Sequence, residues 1–327
     1  MGRSTVGLIV ILILGILGVP RAFHAQQPAK VPRIGILMSV TPEMGQHLLD
    51  AFRHGLHDKG WVEGRNILLE PRWAEGKLER FADLAAELVR LKVDLLFTPN
   101  TPGTRAVQEA TRTIPIVAVV GDPIGAGFVA SLARPGGNIT GLTPLAASTA
   151  KELELLKELV PTAARVAVLW NPADQSNVAQ WSETQVAAKA LGVTLQSLEA
   201  RSAAEVVQMM AGMTREGVDA LLVCGGYLTM QNRKQIVDMA AQHQLPAIYG
   251  FREFVEVGGL MGYSPNLADM YRRAATHVDK ILKGATPAEL PVEQAMKFDL
   301  VLNLKTAQAL GITFPPTLLV LADEVIR

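Results

Sequence analysis

The chain contains two copies of one strand–helix pattern, and this repeat constrains the fold more than any other feature. The segment R-I-G-I-L-M-S at 33–39 returns as R-V-A-V-L-W-N at 165–171. Two shorter pairs follow in the same order, at 93–96 with 218–222 and at 114–117 with 245–248. The offsets are 132, 125 and 131 residues, which agree within the variation of loop lengths. The repeat predicts two similar α/β lobes, with a cleft between them in which a small molecule can bind.

Short apolar segments alternate with amphipathic segments through the rest of the chain. At 327 residues the chain is too long for one ordinary core, so two lobes are expected. The apolar segments are continuous, which is typical of strands buried on both faces of parallel sheets, so each lobe is predicted to be a doubly wound, Rossmann-like α/β unit. Strands are predicted at 33–39, 66–72, 93–99, 115–121, 138–142, 165–171, 193–199, 218–225, 246–250, 260–264 and 293–302. Helices are predicted at 46–59, 78–91, 102–112, 147–159, 178–190, 203–215, 230–243 and 267–282, with two short ones after 303 and 316.

The charge balance points to no nucleic acid or anionic membrane as a partner. The chain has 31 basic and 31 acidic residues, so it has no net positive field to attract phosphate groups. Hydrophobic residues make up 49% of the chain and charged residues 19%, which is the composition of a folded globular protein.

The first 25 residues have the features of a signal peptide. Arg3 gives a positive start, residues 6–19 are an unbroken run of apolar and glycine residues, and Pro20 ends the run. The run is shorter than the roughly 20 residues of a membrane span, so we expect export and cleavage near Ala25. Retention as an anchor is the alternative, because Phe23 is bulky where a signal peptidase prefers a small side chain. No cysteine follows the run, which favours a periplasmic protein without a lipid anchor.

Three patterns that elsewhere indicate cofactors, metals or catalysis have a simpler explanation here. The run G-A-G-F-V-A at 125–130 matches a dinucleotide fingerprint, but it follows the fourth strand and not the first, so a tight turn is favoured. His47, His54 and His57 lie on one predicted helix without a carboxylate or thiolate partner, which favours solvated side chains over a metal site. Cys224 is the sole cysteine and lies in an apolar run, as a core residue does. We expect no metal, no cofactor and no catalytic residue.

Polar residues collect after the carboxyl ends of the predicted strands, where open α/β sheets bind ligands. In the first lobe they are Ser39, Thr41, Thr98, Asn100, Thr101, Gly121 and Asp122. In the second lobe they are Asn171, Asp174, Ser176, Gly225, Gly226, Tyr227 and Tyr249. All are predicted ligand-binding residues, although each could instead be a simple cap or turn residue.

Some of these positions suggest particular roles. Helix starts near 101–104 and 176–178 would present free backbone N–H groups to a carboxylate. Asp122 is predicted to balance an ammonium group. An aromatic side chain, from Tyr227, Tyr249 or Trp170, is predicted to cover an apolar or aromatic part of the ligand.

Three separated motifs are distinctive enough to indicate a family. The first combines F-R-x-G-L with G-W-x-E-G-x-N within 52–66. The second starts with Asp-Pro and continues as G-x-V-A-S-L-x-R-P-G-G-N-x-T-G within 122–141. The third combines N-L-K-T-A, L-G and A-D-E-V-I within 303–326. Together they resemble substrate-binding components of ABC importers, of the tryptophan/tyrosine transport type, over nearly all of 32–327.

The resemblance implies a type I periplasmic-binding-protein fold, with two Rossmann-like lobes joined by three hinge strands. On this chain the implied lobe one is 32–142 plus 259–290, and lobe two is 143–258 plus 291–327. The implied hinges are 142–145, 257–259 and 290–292.

The main hypothesis is an exported solute-binding protein of an ABC importer, not an enzyme. It is expected to be a monomer that closes its lobes over a small organic solute, an amino acid and more narrowly an aromatic one, and to deliver it to a permease in the inner membrane. One alternative is a ligand-sensing module that reports to a membrane receptor or kinase. Another is an exported enzyme on the same scaffold.

Overall fold

Two β-sheets, each with helices on both faces, make up the folded chain. The computed structural model describes residues 30–144, 148–213 and 217–327, and residues 32–327 form one compact unit. The predicted signal peptide at 1–25 and the end of the first predicted hinge at Leu145 lie outside the described residues. The strands are β1 (Arg33–Met38), β2 (Leu68–Trp73), β3 (Leu95–Thr98), β4 (Ile116–Val119), β5 (Ile139–Thr143), β6 (Arg165–Trp170), β7 (Thr194–Glu199), β8 (Ala220–Val223), β9 (Ala247–Tyr249), β10 (Met261–Pro265), β11 (Glu293–Gln294), β12 (Phe298–Asn303) and β13 (Glu324–Ile326).

The helices connect these strands and cover both sheets. They are α1 (Pro42–Asp58), α2 (Arg80–Arg90), α3 (Thr101–Ala110), α4 (Ser148–Leu159), α5 (Gln175–Leu191), α6 (Ala203–Gly212), α7 (Tyr227–Gln231), α8 (Arg233–Gln242), α9 (Glu253–Glu256), α10 (Leu267–Leu282), α11 (Leu304–Ala309) and α12 (Pro316–Leu321), with a 3-10 turn at Pro287–Glu289. The predicted helix at 230–243 is divided at Asn232 into α7 and α8. None of the helices in the described part of the chain is long and apolar enough to cross a membrane.

The two sheets confirm the predicted doubly wound α/β fold. The first has the order β11-β5-β4-β3-β1-β2, and all its neighbouring strands are parallel. The second has the order β13-β12-β10-β9-β8-β6-β7, in which only the β10–β12 pair is antiparallel. The recurring segments at 33–39 and 165–171 provide β1 and β6, and each of these is the strand next to one edge of its sheet, so the repeat in the sequence is a repeat in space.

Each sheet has a hydrophobic core on both faces, which explains why the strands read as continuous apolar runs. In β1, Ile36 faces the side covered by α1 and α10, whereas Leu37 faces the side covered by α2. In β6, Val168 and Leu169 divide between the two faces in the same way. The glycine of the F-R-x-G-L motif, Gly55, lets α1 approach α10 closely, because a Cβ atom there would collide with the backbone of α10.

The chain passes between the two sheets three times, and two of these passages differ from the predicted hinges. The strand β10 pairs with β9 and β12 in the second sheet, so the chain leaves that sheet after Pro265 and not at 257–259. The predicted strand 293–302 is two strands in different sheets, so the third passage lies near 295–297 and not at 290–292. The implied lobe boundaries are therefore wrong at these two strands. The reason is that an apolar run can be buried equally well in either sheet, and only strand pairing decides which one it joins.

Candidate functional site

A cavity lies between the carboxyl-terminal edges of the two sheets. Loops that follow β1, β3 and β4 form one side, and loops that follow β8 and β9 together with α4 and α5 form the other. The cavity with its mouth has about 1330 Å³ of space that holds no protein atom. A cavity in this position, at the carboxyl ends of two parallel sheets, is where α/β folds bind small organic molecules. Pro144 and Pro265, where the chain passes between the sheets, also line it.

The two sides of the cavity, which we call the first wall and the second wall after the sheets that carry them, differ in composition. The first wall consists of Ser39, Val40, Met44, Leu48, Pro99, Asn100, Thr101, Val119, Val120, Gly121, Leu267 and Tyr271. The second wall consists of Thr149, Glu152, Asp174, Ser176, Gln180, Glu183, Gly225, Gly226, Tyr227, Met230, Gln231, Gly250, Phe251 and Glu253. Every charged residue among the described residues of the lining is an acid on the second wall.

Many of the residues predicted from strand ends line the cavity, although their contact with a ligand stays a prediction. They are Ser39, Asn100, Thr101, Gly121, Asp174, Ser176, Gly225, Gly226 and Tyr227. The parallel strands bring these positions together because their carboxyl ends share one edge of each sheet.

Three predicted residues cap or brace the backbone near the cavity and do not line it. Asp122 accepts a hydrogen bond from the backbone N–H of Gly125 at 2.8 Å, so it holds a turn. Asn171 accepts a hydrogen bond from the backbone N–H of Ala173 at 2.9 Å. Thr41 occupies the N-cap position of α1, where its backbone carbonyl accepts from the N–H of Gly45 at 3.0 Å and its side chain makes no capping hydrogen bond. For Asp122 and Asn171, the simple turn explanation describes the observed contact of the side chain.

Three other predicted side chains are directed into the cores. The hydroxyl of Thr98 is fully buried against that of Thr104 at 2.6 Å. Tyr249 is 1% exposed and stacks on Phe254, with ring centroids 4.9 Å apart. Trp170 stacks on a second tryptophan, and its indole N–H donates to a serine hydroxyl. These three residues, each at the last position of its strand, turn inward, whereas the predicted residues that line the cavity come one to six positions after a strand.

Helix N-caps fix the polar parts of both walls. On the first wall Asn100 caps α3: its side-chain oxygen accepts from the N–H of Gly103 at 2.6 Å, and its amide donates to the carbonyl of Leu37 at 3.0 Å. On the second wall Asp174 caps α5 and accepts hydrogen bonds from the N–H and hydroxyl of Ser176 at 3.0 and 2.7 Å. Such caps position the starts of helices next to the cavity.

Two side-chain amides of α5, a buried one and a half-buried one, hold the loop after β8. The side-chain amides of Asn177 and Gln180 donate to the carbonyl of Gly225, at 2.8 and 3.0 Å. The oxygen of Asn177 accepts from the backbone N–H of Asn171 at 2.9 Å, so this side chain ties the loops after β6 and β8 together. The second wall is therefore supported from behind by side chains that make defined hydrogen bonds.

The two walls touch each other around the cavity. Phe81, at the start of α2, packs edge-on against Tyr227 with ring centroids 6.3 Å apart. The guanidinium of Arg233 donates to the sulfur of Met44 at 3.3 Å. A Cβ atom added to Gly121 would lie 2.5 Å from the Cβ of Ser176, so only a glycine fits there in this arrangement. These contacts describe a closed cleft.

Three glutamates on the second wall were not among the residues predicted from strand ends. Burial, and next to it the charge of Glu183, raises the pKa of Glu152 to about 8. Burial also raises the pKa of Glu183. The pKa of Glu253 is raised by burial as well, while Arg233 acts to lower it. All three lie in or next to helices and not directly after strands, which is why a search of strand ends passed over them.

A signal for Glu152 does exist in the sequence. It lies on the apolar stripe of α4 that Leu155, Leu156 and Leu159 form at helical spacing, and all three leucines are buried. An acid on such a stripe indicates a carboxyl group buried among apolar side chains. Because such burial is unfavourable, it indicates a functional role. No group of three or more side chains in the described ranges is arranged to hold a metal ion.

Comparison with known proteins decides the family. Residues 33–326 match the family of ABC transporter substrate binding proteins. The chain belongs to this family. The resemblance of the three sequence motifs is thereby confirmed, and so is the type I periplasmic-binding-protein fold. A tyrosine-binding protein of Clostridioides difficile (strain R20291) is 27% identical over 282 residues, which cover 86% of this chain and 81% of that protein.

Two solved structures of similar proteins differ in the state of their clefts. The ABC domain of Streptococcus pneumoniae in complex with L-Trp is 28% identical and superposes with a TM-score of 0.83, covering 90% of this chain and 99% of that one. The ligand-free, open structure of a Clostridium difficile substrate-binding protein with adhesive properties is 26% identical and gives a TM-score of 0.71 with the same coverage. The family member described here is thus more similar to the complex than to the open structure, in agreement with its touching walls.

Proposed function

We propose that this substrate-binding protein is the exported component of an ABC importer that captures a small organic solute, an amino acid and most specifically an aromatic one. Closure of the two walls would trap the solute, and a permease in the inner membrane would recognise the closed, monomeric protein. The proposed location is the periplasm, reached by way of the signal peptide. No bond is made or broken in this function, and no cofactor takes part.

One observation carries the proposal: a cavity between two walls that combine apolar and polar surface. The first wall offers apolar side chains such as Met44, Leu48 and Tyr271, and the second offers carboxyl, amide and hydroxyl groups. An amino acid with a large side chain needs both kinds of surface. The tyrosine-binding relative and the relative in complex with L-Trp support this ligand class.

Calorimetric titration of the purified protein with L-tyrosine, L-tryptophan, L-phenylalanine and the other common amino acids tests the ligand class. Saturable binding is expected for at least one aromatic amino acid, together with a rise in melting temperature. D-allose serves as a control solute without an amine. The absence of binding by every amino acid would refute the proposed ligand class.

The importer role needs a measurement in cells. Deletion of the gene is expected to lower uptake of the radiolabelled amino acid that binds in vitro, and the protein is expected in the periplasmic fraction. Restoration of uptake by the wild-type chain, but not by a variant that fails to bind, completes the test. Normal uptake without the gene would argue for a sensing role instead.

A further inference from the structure

Two buried polar groups on α4 face the cavity without a hydrogen-bond partner. The carboxyl group of Glu152 is on a residue that is 2% exposed, and its Oε2 atom makes no hydrogen bond. The hydroxyl of Thr149, one turn earlier, is fully buried and also lacks a partner. Both residues line the cavity. Leaving such groups unpaired is unfavourable, so their arrangement calls for a partner that enters the cavity.

The surroundings of Glu152 contain a second acid and no compensating cation. Glu183 on α5 lines the same cavity, and its charge adds to burial in raising the pKa of Glu152. From β10 and from the end of β8, Tyr263 and Cys224 also feel the charge of Glu152, and the pKa of each is itself raised, chiefly by burial. Neither of these groups carries a positive charge. Within the described residues, no cation is among the groups that act on Glu152.

The other acids near the cavity have donors or cations beside them. Asp174 accepts two hydrogen bonds as the cap of α5. The Oε2 atom of Glu253 is also buried without a hydrogen-bond partner, but Arg252 and Arg233 both act to favour the charged form of this residue. Asp122, which the sequence suggested as the counter-charge for an amine, is engaged in a turn outside the lining. This leaves Glu152 and Glu183 as the acids of the described lining with a raised pKa on which no cation acts.

We propose that Glu152, together with Glu183 and Thr149, forms a subsite for a protonated amine of the captured solute. The inference rests on the proposed solute-binding function and narrows it to ligands that carry an ammonium group next to an apolar body. An ammonium group has three N–H donors, which match two carboxyl groups and a hydroxyl. Acids without nitrogen and neutral sugars would leave the buried carboxyl groups unpaired and are rejected.

Binding at this subsite is coupled to the release of a proton. In the empty cavity at neutral pH, Glu152 holds its proton, because its pKa is about 8. An ammonium group beside it favours the carboxylate, so the proton passes to the solvent as the amine binds. The affinity for an amine therefore rises with pH between 6 and 8, by up to about tenfold per unit. Once Glu152 is ionised in the empty protein as well, the dependence levels off.

The test uses four aromatic probes that differ in their charged groups. L-tyrosine, L-tryptophan and tyramine carry an amine, whereas 3-(4-hydroxyphenyl)propionate lacks one. Calorimetric titration of the purified protein at pH 6, 7 and 8, in buffers with different ionisation enthalpies, gives the affinity and the number of protons released. At least one amine is expected to bind with release of a proton at pH 7, and the propionate is expected to bind at least about tenfold more weakly than that amine.

Glu152→Gln keeps the shape of the side chain and removes its ability to ionise. This variant is expected to bind the amine about 10- to 100-fold more weakly and to release no proton. The matched control is Glu154→Gln on the same helix, since Glu154 is exposed and pairs with Lys151 at the surface. The control variant is expected to bind as the wild type does.

The possible failures are distinguishable. Unchanged affinity and proton release in Glu152→Gln would overturn the amine subsite and leave solute capture intact. Binding of the propionate as tightly as the amines would likewise overturn the amine subsite and leave solute capture intact. If none of the four probes bound, a subsite for aromatic amines would be refuted, whereas the proposed capture of an amino acid would be decided by the titration with the other common amino acids.

Discussion

The two walls of the cavity are built by the same strand–helix pattern, yet they differ in chemistry. The first wall has no charged side chain among its described residues and contributes groups such as Leu48, Val119 and Tyr271. The second wall has the four acids, and its helix α4 contributes Glu152, a residue with no counterpart on the first wall. The two copies of the pattern thus form two similar sheets. The residues at the strand ends and on the nearest helix give each wall a different chemical character.

The difference suggests how a solute is held. All of the charge in the described lining lies on the second wall, whereas the first wall has only apolar and uncharged polar side chains. A solute with both an apolar body and an ammonium group therefore contacts groups of both walls, and it is held well only when the walls are together. This favours closure by the right solute over closure by either half of it. Four predictions probe the comparison.

The largest effect on affinity is expected from a substitution that prevents the two walls from closing. Gly121→Val places a branched side chain where the first wall meets Ser176 of the second, so the closed cleft is overpacked. A penalty of about 1–3 kcal/mol on closure corresponds to binding that is about 5- to 150-fold weaker. Small-angle X-ray scattering is expected to show less compaction with ligand than for the wild type. Gly137→Val is the control, since no atom lies within 4 Å of its added Cβ; equal binding by both variants would mean that these walls do not close here.

The second prediction concerns the stability cost of the acid on the second wall. Because burial raises the pKa of Glu152 to about 8, the folded protein holds a proton there that the unfolded chain has lost above its ordinary pKa. Stability is therefore lost as the pH rises from about 4.5 through 8. Glu152→Gln is expected to raise the free energy of unfolding of the empty protein at pH 8 by about 2–4 kcal/mol, and much less at pH 5.

Urea titrations at pH 5 and pH 8 measure this difference. Glu154→Gln again serves as the control, because Glu154 lies at the surface and its exchange is expected to leave both values nearly unchanged. A variant that is more stable but binds an amine less well would mark Glu152 as a residue kept for function. If Glu152→Gln instead destabilised the protein at pH 8, the carboxyl group would have a structural partner and the comparison of the walls would need revision.

The third prediction concerns Tyr227, which belongs to the second wall and touches the first. Its hydroxyl is buried without a hydrogen-bond partner, and burial raises its pKa to about 12, so it stays protonated. Tyr227→Phe removes the hydroxyl and keeps the ring that packs on Phe81. We expect unchanged thermal stability and an affinity lower by about 2- to 10-fold if the solute uses the hydroxyl. An unchanged affinity would restrict Tyr227 to its contact with Phe81.

The smallest effect is expected at Asp122, beside the first wall. Asp122→Ala removes the hydrogen bond to the N–H of Gly125 and should lower the free energy of unfolding by about 1 kcal/mol. Because the side chain is engaged in the turn, the affinity for an amine is expected to stay within twofold of the wild type. A large loss of affinity would mean that Asp122, beside the first wall, binds the amine, as the residues after the strands had suggested.

The α/β fold of this protein and part of its candidate site could be predicted from the sequence. The repeat placed β1 and β6 correctly, because buried parallel strands leave continuous apolar runs. It also placed Asn100 and Ser176 at the cavity, because residues after parallel strands share one edge. It could not assign β10 to a sheet, since an apolar strand satisfies either core, and it could not find Glu152, since a helix position reaches the cavity only through the packing of α4.

The order of strands in the first sheet has a consequence for how the chain is made. Its edge strand β11 comes from Glu293–Gln294, and α10, which covers α1, comes from Leu267–Leu282. While a ribosome has yet to add these residues, Leu49 and Phe52 on α1 lack the cover that α10 gives them, and the first sheet lacks β11. The first sheet is thus completed only when synthesis is nearly over, and a protein destined for the proposed export has to reach the membrane before its fold is complete.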